Sequence, residues 1–536
     1  MFRRPDFRAA SRRAVRTPAT RLITSLVVAL ALLAGSAAAF LVLAPADPPS
    51  KPYDLAKDAP VLIVLGQSNA EGWTVPLTDA DRAKCQSLDN VKGLSRADHR
   101  TVGATAATWS RYTCAGNNLG LEHGTEPKVG YNHHVASVTA LRWQRAVEAG
   151  AKLPDLNVIH IAWGSQGVLE TEVGGNNRWW PDRDPTDIES LFPLAMNTIG
   201  NGLRALQEDG KRPRIIGIHW NQWEAEAKNA GTTVDGLKQA FLKVLNPLRT
   251  ITGDTGAPIF LYRPRSVGYD KAATLRTKQA LEEIAVDPPY KLLDTRDATA
   301  LTFSADHTTS QAGAYLYTLR SSTEQQIEDT AWDAAPPQNN FGIFTDTKHY
   351  TTDVHTWLAD QQWKTVFADG KHGAPVRATS NAALSKSATQ SSTYTTPATA
   401  TPPAVAHPAG LAADGDRSAG TTSFSATSSE PQPWWQVDLG ATKQIRSVEL
   451  FDRTDGDAER LANLYVMVSP TDLTGRTVTG IEADPTVRTV RVTGTVPTKL
   501  TLPVGADGRY VRVQLAGTGS LTLAEVQVNV PATPDR

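Results

Sequence analysis

The chain has 536 residues, with 54 Lys and Arg against 55 Asp and Glu and a formal net charge of −1. That length exceeds one ordinary hydrophobic core, so two or more domains are expected, and an apolar content of 40% is that of a folded chain. Near-neutral charge leaves no basic footprint for nucleic acid, which is excluded as an expected partner.

The first element is a basic N-terminus, with Arg3, Arg4, Arg8, Arg12, Arg13, Arg16 and Arg21 ahead of a charge-free apolar run over residues 22–44. Residues 1–45 therefore read as an export signal or a membrane anchor. The length suits a spanning helix, whereas Ala37 to Ala39 form a small-residue cleavage pattern, and both readings stand. The arginine excess holds the N-terminus inside and sends the rest of the chain outside the cytoplasm, either membrane-anchored or secreted after cleavage. In that oxidising compartment the two cysteines, Cys85 and Cys114, are expected to form a disulfide; neither has zinc-ligand spacing.

Residues 61–69 read VLIVLGQSN, a continuous apolar run that stops at a Gly-x-Ser-Asn turn. Such a run suits a central parallel strand covered on both faces, and ligands bind beyond the C-termini of such strands. Ser68 is thus a candidate nucleophile. Further strand candidates at 157–162, 215–219 and 259–262 alternate with helical segments. One such segment carries Met196, Ile199, Leu203 and Leu206 on one face before Gly210, and another spans 135–149. Residues 58–328 are therefore predicted to form an α/β domain with a doubly wound, mostly parallel sheet. His133 and His134 read as helix-start or surface residues.

Residues 329–378 carry Trp332, Trp357 and Trp363 without a clear period and are predicted to be a connector packed on its neighbours. From 379 to 533 no helix signal follows. Short β-rich runs at 435–439, 448–451, 464–468, 510–515 and 521–528, separated by turn residues, predict a C-terminal β-sandwich. Of Trp434 and Trp435, at least one is expected in its core.

Four segments in order, Gly66-Gln67-Ser68-Asn69, Ala162-Trp163-Gly164-Ser165, Trp220-Asn221-Gln222-Trp223-Glu224 and Asp306-His307 followed by Gly313, resemble sialate O-acetylesterase domains of the carbohydrate esterase family 6 type, within the SGNH hydrolases. The resemblance implies a serine esterase that removes acetyl groups from a glycan without a cofactor. Ser68 is the implied nucleophile and His307 the base. The implied oxyanion donors are the backbone N–H of Ser68, that of Gly164 and the side-chain amide of Gln222. The family places an aspartate three residues before the histidine, where this chain has Ser304. Asp306 is then the candidate acid, with Glu224 and Asp297 as alternatives. Trp223 stands where the family has glycine and inserts bulk beside Gln222.

The C-terminal segments Ala388-Thr389-Gln390-Ser391-Ser392, Asp414-Gly415-Asp416, residues 433–439 (PWWQVDL), Arg453-Thr454-Asp455 and residues 523–526 (LAEV) resemble fucolectin, or F-type lectin, domains of the discoidin-like galactose-binding type. The resemblance implies carbohydrate binding through Arg453, Asp455 and Arg460, whose guanidinium and carboxylate groups fork onto sugar hydroxyls. The histidine of that family's site has no counterpart within 424–429. It also implies a structural calcium held by Asp414, Asp416, Ser425 and Glu525. An acetylated polysaccharide or glycan is therefore the expected partner. The rival expectation is a catalytically impaired cell-surface glycan-binding protein, and a third keeps the hydrolase with a lipid or peptide ester as substrate.

Overall fold

A computed structural model describes residues 53–73, 76–94, 107–114, 132–187, 189–253, 256–264, 270–294, 315–316, 341–344, 349–350, 352–367, 372–376, 379–398, 403–417, 422–454 and 460–531. The basic N-terminus and the apolar run at 22–44 lie outside these. Among the described residues no helix is long and apolar enough to cross a membrane.

The first half is built on strands β1 (Asp58–Gly66), β2 (Val91–Leu94), β3 (Trp109–Arg111), β4 (Leu156–Ala162), β5 (Arg212–Asn221), β6 (Ile259–Tyr262) and β7 (Tyr290–Leu293). Their order is β3-β2-β4-β1-β5-β6-β7. Every neighbouring pair is parallel except β2 with β3. From β1 the chain crosses one way to β2 and later the other way through β5, β6 and β7. The direction of winding thus reverses at β1, and in sheets of this kind ligands bind beyond the C-terminal ends of the strands at such a reversal.

All of β1 is buried. Its alternating side chains feed two cores: Val61, Ile63 and Leu65 pack with Phe192, Met196, Ile199 and Leu203 of helix Leu191–Glu208, while Leu62 and Val64 pack with Ala136, Ala140 and Trp143 of helix Val135–Glu148. That two-sided burial is why the strand reads as an unbroken apolar run. His134 begins the second of these helices by reciprocal capping. Its Nδ1 accepts the Ser137 N–H at 3.1 Å, and its own N–H is accepted by Ser137 Oγ at 3.0 Å.

The segment expected to be a connector belongs to the α/β domain. It contributes helix Thr352–Phe367, which packs on helix Val135–Glu148, and strand β8 (Ala374–Pro375), antiparallel to β5. Arg142 pairs with Asp360, and its guanidinium lies 4.5 Å over Trp363. The helix shows no clear period in sequence because its apolar residues serve two cores: Val354 and Leu358 join one, Trp363 and Phe367 the other. No single stripe marks it.

The C-terminal domain is a β-sandwich. Its main antiparallel sheet runs β9 (Thr379–Asn381), β14 (Glu525–Pro531), β10 (Trp434–Phe451), β13 (Lys499–Leu515), β11 (Ala462–Ser469), β12 (Arg488–Thr495). Trp435 is buried in its core with its indole N–H donated to the Ala409 carbonyl at 2.8 Å, and Trp434 sits half-buried under Arg512. The two domains abut. Asp182 accepts Arg488 at 2.8 Å and Lys243 at 3.0 Å, and a Cβ on Gly505 would come within 2.5 Å of Pro247 Cα.

Candidate functional site

At the end of β1 the backbone turns sharply. Gly66 has φ +143°, and a Cβ there would sit 2.1 Å from the Asn221 carbonyl oxygen, so only glycine lets β1 and β5 approach. Gln67 then leads into the short helix Ser68–Glu71, which lifts the Ser68 hydroxyl to the sheet rim. The buried His160, its pKa lowered to about 4 by burial, contacts the Ala70 carbonyl through Nε2 at 2.8 Å and supports that helix from β4.

The imidazole beside Ser68 is that of His349. Its Nε2 lies 3.0 Å from Ser68 Oγ, within the reach that proton transfer between them requires. His307 and Asp306, the base and acid expected from the sequence, lie outside the described residues, as do Ser304 and Asp297. The missed signal was Asp346. It stands three residues before His349, at the spacing where Ser304 precedes His307, but within the segment expected to be a connector. Asp346 also lies outside the described residues.

A buried polar frame connects the two. Asn69 donates Nδ2 to Glu224 Oε1 at 2.5 Å and accepts the Tyr350 N–H on Oδ1 at 2.8 Å. Gln67 donates its side-chain amide to the other oxygen of Glu224. Burial pushes the Glu224 carboxyl up, and the amides of Asn69 and Gln67 pull it back. Glu224 therefore anchors the turn that carries Ser68.

The expected oxyanion donors are differently placed. Gly164 donates its N–H to Glu71 Oε2 at 3.0 Å, and Glu71, whose pKa burial pushes up to about 7, also accepts the Trp73 indole N–H at 2.7 Å. Gln222 is engaged elsewhere. Its amide nitrogen is taken by the Gln166 carbonyl at 2.7 Å and by Glu226 at 2.9 Å, so it buttresses the glycine loop. Glu226 is itself pushed up to about 8, by burial and by the neighbouring Glu172. The Ser68 backbone N–H, at the first position of its helix, completes the expected set. Trp223 does not crowd this region, being wholly buried in the apolar core. The loop after β4 is tied to β1 through the Gly66 carbonyl, which accepts the Trp163 N–H and the Trp179 indole N–H, both at 3.1 Å. Cys85 and Cys114 are joined in a disulfide with Cα atoms 5.8 Å apart.

In the C-terminal domain the Arg453 guanidinium lies 3.8 Å over the Phe424 ring, whose other contact is the buried His407, stacked at 4.2 Å. Arg460 is exposed close by in sequence, and Asp455 lies outside the described residues. Of the residues implied for calcium, Glu525 is fully buried and accepts the Gly415 N–H at 3.3 Å. Burial, together with the charge of Asp414, raises its pKa to about 7. Asp414 Oδ1 is itself bonded to the Asp416 N–H at 2.8 Å, and the Ser425 hydroxyl donates to Gln390. Carboxylate oxygens are of the hard type that calcium takes, but the structure does not gather these residues into a site. Among the described residues no group of three or more His, Cys, Asp or Glu is placed to hold a metal ion.

Residues 411–513 match the family model for NedA-like galactose-binding domains, so the sandwich is a carbohydrate-binding domain of that class. Over 125 residues the chain is 34% identical to Fucolectin of Anguilla anguilla, covering 22% of this chain and 74% of that protein. It is 32% identical over 120 residues to Fucolectin-5 of Anguilla japonica, covering 22% of this chain and 61% of that relative's length. A fucolectin from Morone saxatilis serum is 31% identical over 28% of this chain and 49% of that one, with a TM-score of 0.24. Through this C-terminal domain the chain belongs to the fucolectin family.

Proposed function

We propose that the chain is an exported serine esterase that removes O-acetyl groups from a glycan held by its fucolectin-type domain. The observation that carries this reading is the 3.0 Å approach of His349 Nε2 to Ser68 Oγ at the point where the sheet reverses direction. Ser68 attacks the ester carbonyl while His349 takes the hydroxyl proton. The tetrahedral adduct collapses as His349 returns that proton to the departing sugar oxygen, leaving acetyl-Ser68, and a water activated by the same imidazole then releases acetate. The backbone N–H groups of Ser68 and Gly164 stabilise the oxyanion once Glu71 yields the latter. Asp346 is the carboxylate assigned to orient His349, on its spacing alone.

Hydrolysis of p-nitrophenyl acetate by the full chain and by Ser68→Ala tests the activity. A loss on the order of 10³-fold or more is expected, and equal rates would remove the enzyme claim. A binding-only reading is favoured by one observation, the engagement of the Gly164 N–H by Glu71. Glycan binding by the parent without hydrolysis of any acetylated substrate would establish it.

A further inference from the structure

Five large apolar side chains are exposed among the described residues, and one of them, Trp73 at 49%, stands beside Ser68. Its position is imposed from several sides. Gly72 turns the chain in the left-handed region at φ +77°, and a Cβ there would strike the His133 carbonyl at 2.3 Å. The Trp73 backbone N–H then returns to the Ser68 carbonyl at 3.1 Å, and its indole N–H is held by Glu71 Oε2 at 2.7 Å. The ring lies nearly parallel to His349, 23° between planes with centroids 6.2 Å apart. A Cβ built on Gly164 would meet Glu71 Oε2, Trp73 Nε1 and Ser68 Cβ at 3.2, 3.3 and 3.4 Å. Nucleophile, glycine loop, carboxyl and indole therefore share one small volume.

A large, half-exposed aromatic ring whose only polar atom is already bonded offers a flat apolar surface at fixed height, with little conformational entropy left to lose on binding. Its surroundings are Ser68, Glu71 and His349, polar groups that suit hydroxyls rather than an acyl chain. We propose that Trp73 is the platform of a sugar subsite, on which the pyranose ring carrying the scissile O-acetyl group lays its C–H face while the Glu71 carboxyl binds a ring hydroxyl. This deepens the esterase reading above and rests on it. The occupant is a sugar rather than a lipid because the surrounding edge is polar and because the same chain carries a carbohydrate-binding domain.

The test compares full chains bearing Trp73→Ala or Trp73→Phe on an O-acetylated methyl galactoside, on p-nitrophenyl acetate and on p-nitrophenyl butyrate. Trp73→Ala is expected to lower kcat/KM for the galactoside about tenfold more than for p-nitrophenyl acetate, chiefly through KM, and Trp73→Phe to recover most of that loss. Equal losses on all three esters, or a loss greatest on the butyrate, would overturn the platform. Binding of the same galactoside to Ser68→Ala, with and without Trp73→Ala, separates the two claims. A Trp73-dependent affinity in a chain whose parent hydrolyses nothing would sink the esterase reading alone. An affinity unmoved by Trp73→Ala would sink the platform whatever the turnover.

Discussion

Asn69 Oδ1 accepts the backbone N–H of Tyr350 at 2.8 Å, so the residue after the candidate nucleophile grips the residue after the candidate base. Two segments 281 positions apart are held in register by one amide, whose other end is fixed on Glu224. Catalytic geometry is sensitive to displacements of this kind, since a misplacement of about 1 Å can cost 10²-fold.

Asn69→Leu removes both bonds and leaves Glu224 short of a donor in a fully buried place. A destabilisation of about 1–3 kcal/mol is expected, together with a fall in kcat well beyond what the lost stability explains. Denaturant unfolding and steady-state kinetics on the same preparation check this, and full activity in a destabilised chain would show that the bridge does not position His349.

His349→Ala is expected to lower kcat on the order of 10³-fold, and to do so far more than His307→Ala. Asp346→Asn should follow His349→Ala in direction and shift the pH profile. If His307→Ala proves the costlier substitution, the base returns to His307.

On the esterase reading, Glu71 is expected to couple activity to pH. Burial raises its carboxyl to about 7, so its negative charge beside the Gly164 N–H grows as pH rises through neutrality and opposes the oxyanion that must form there. kcat/KM is expected to decline above pH about 7, and Glu71→Gln to remove that decline while keeping an acceptor for both N–H groups. A decline unchanged in Glu71→Gln would assign it to another group.

Glu226 links stability to pH. Its folded pKa of about 8 lies above its ordinary value, so the stability it contributes is complete below the unfolded pKa and is lost as pH rises through 8. The buried His134, His160, His219 and His355 are all shifted downward by burial and act oppositely, but only below their ordinary pKa near 6.5. Between pH about 6.5 and 8.5 the raised carboxyls therefore dominate. Thermal unfolding is expected at lower temperature at the upper end of this window, with the slope reduced in Glu226→Gln. A slope untouched by that substitution would mean that Glu226 keeps its ordinary pKa.

Much was legible where the signal is local. The buried β1 announces itself as an apolar run because neighbours cover both its faces, and the glycine before Gln67 marks the turn that exposes Ser68. The apolar face of helix Leu191–Glu208 follows its period, because one side packs on one core. The strands of the sandwich are legible because their apolar residues fill one core and turn residues separate them. Helix Thr352–Phe367 was not, since its apolar residues are divided between two cores.

The sequence by itself determined which strand carries the Gly-x-Ser turn, which cysteines are available to pair and that a carbohydrate-binding sandwich follows the α/β half. These depend on residues near one another in sequence, or on residue types few enough to leave one pairing. Only the tertiary structure decided which histidine meets Ser68, that Gln222 faces Glu226, and that Glu71 holds both Trp73 and Gly164. Those contacts join elements whose approach follows from burying apolar faces, and that geometry leaves no spacing along the chain from which to read them.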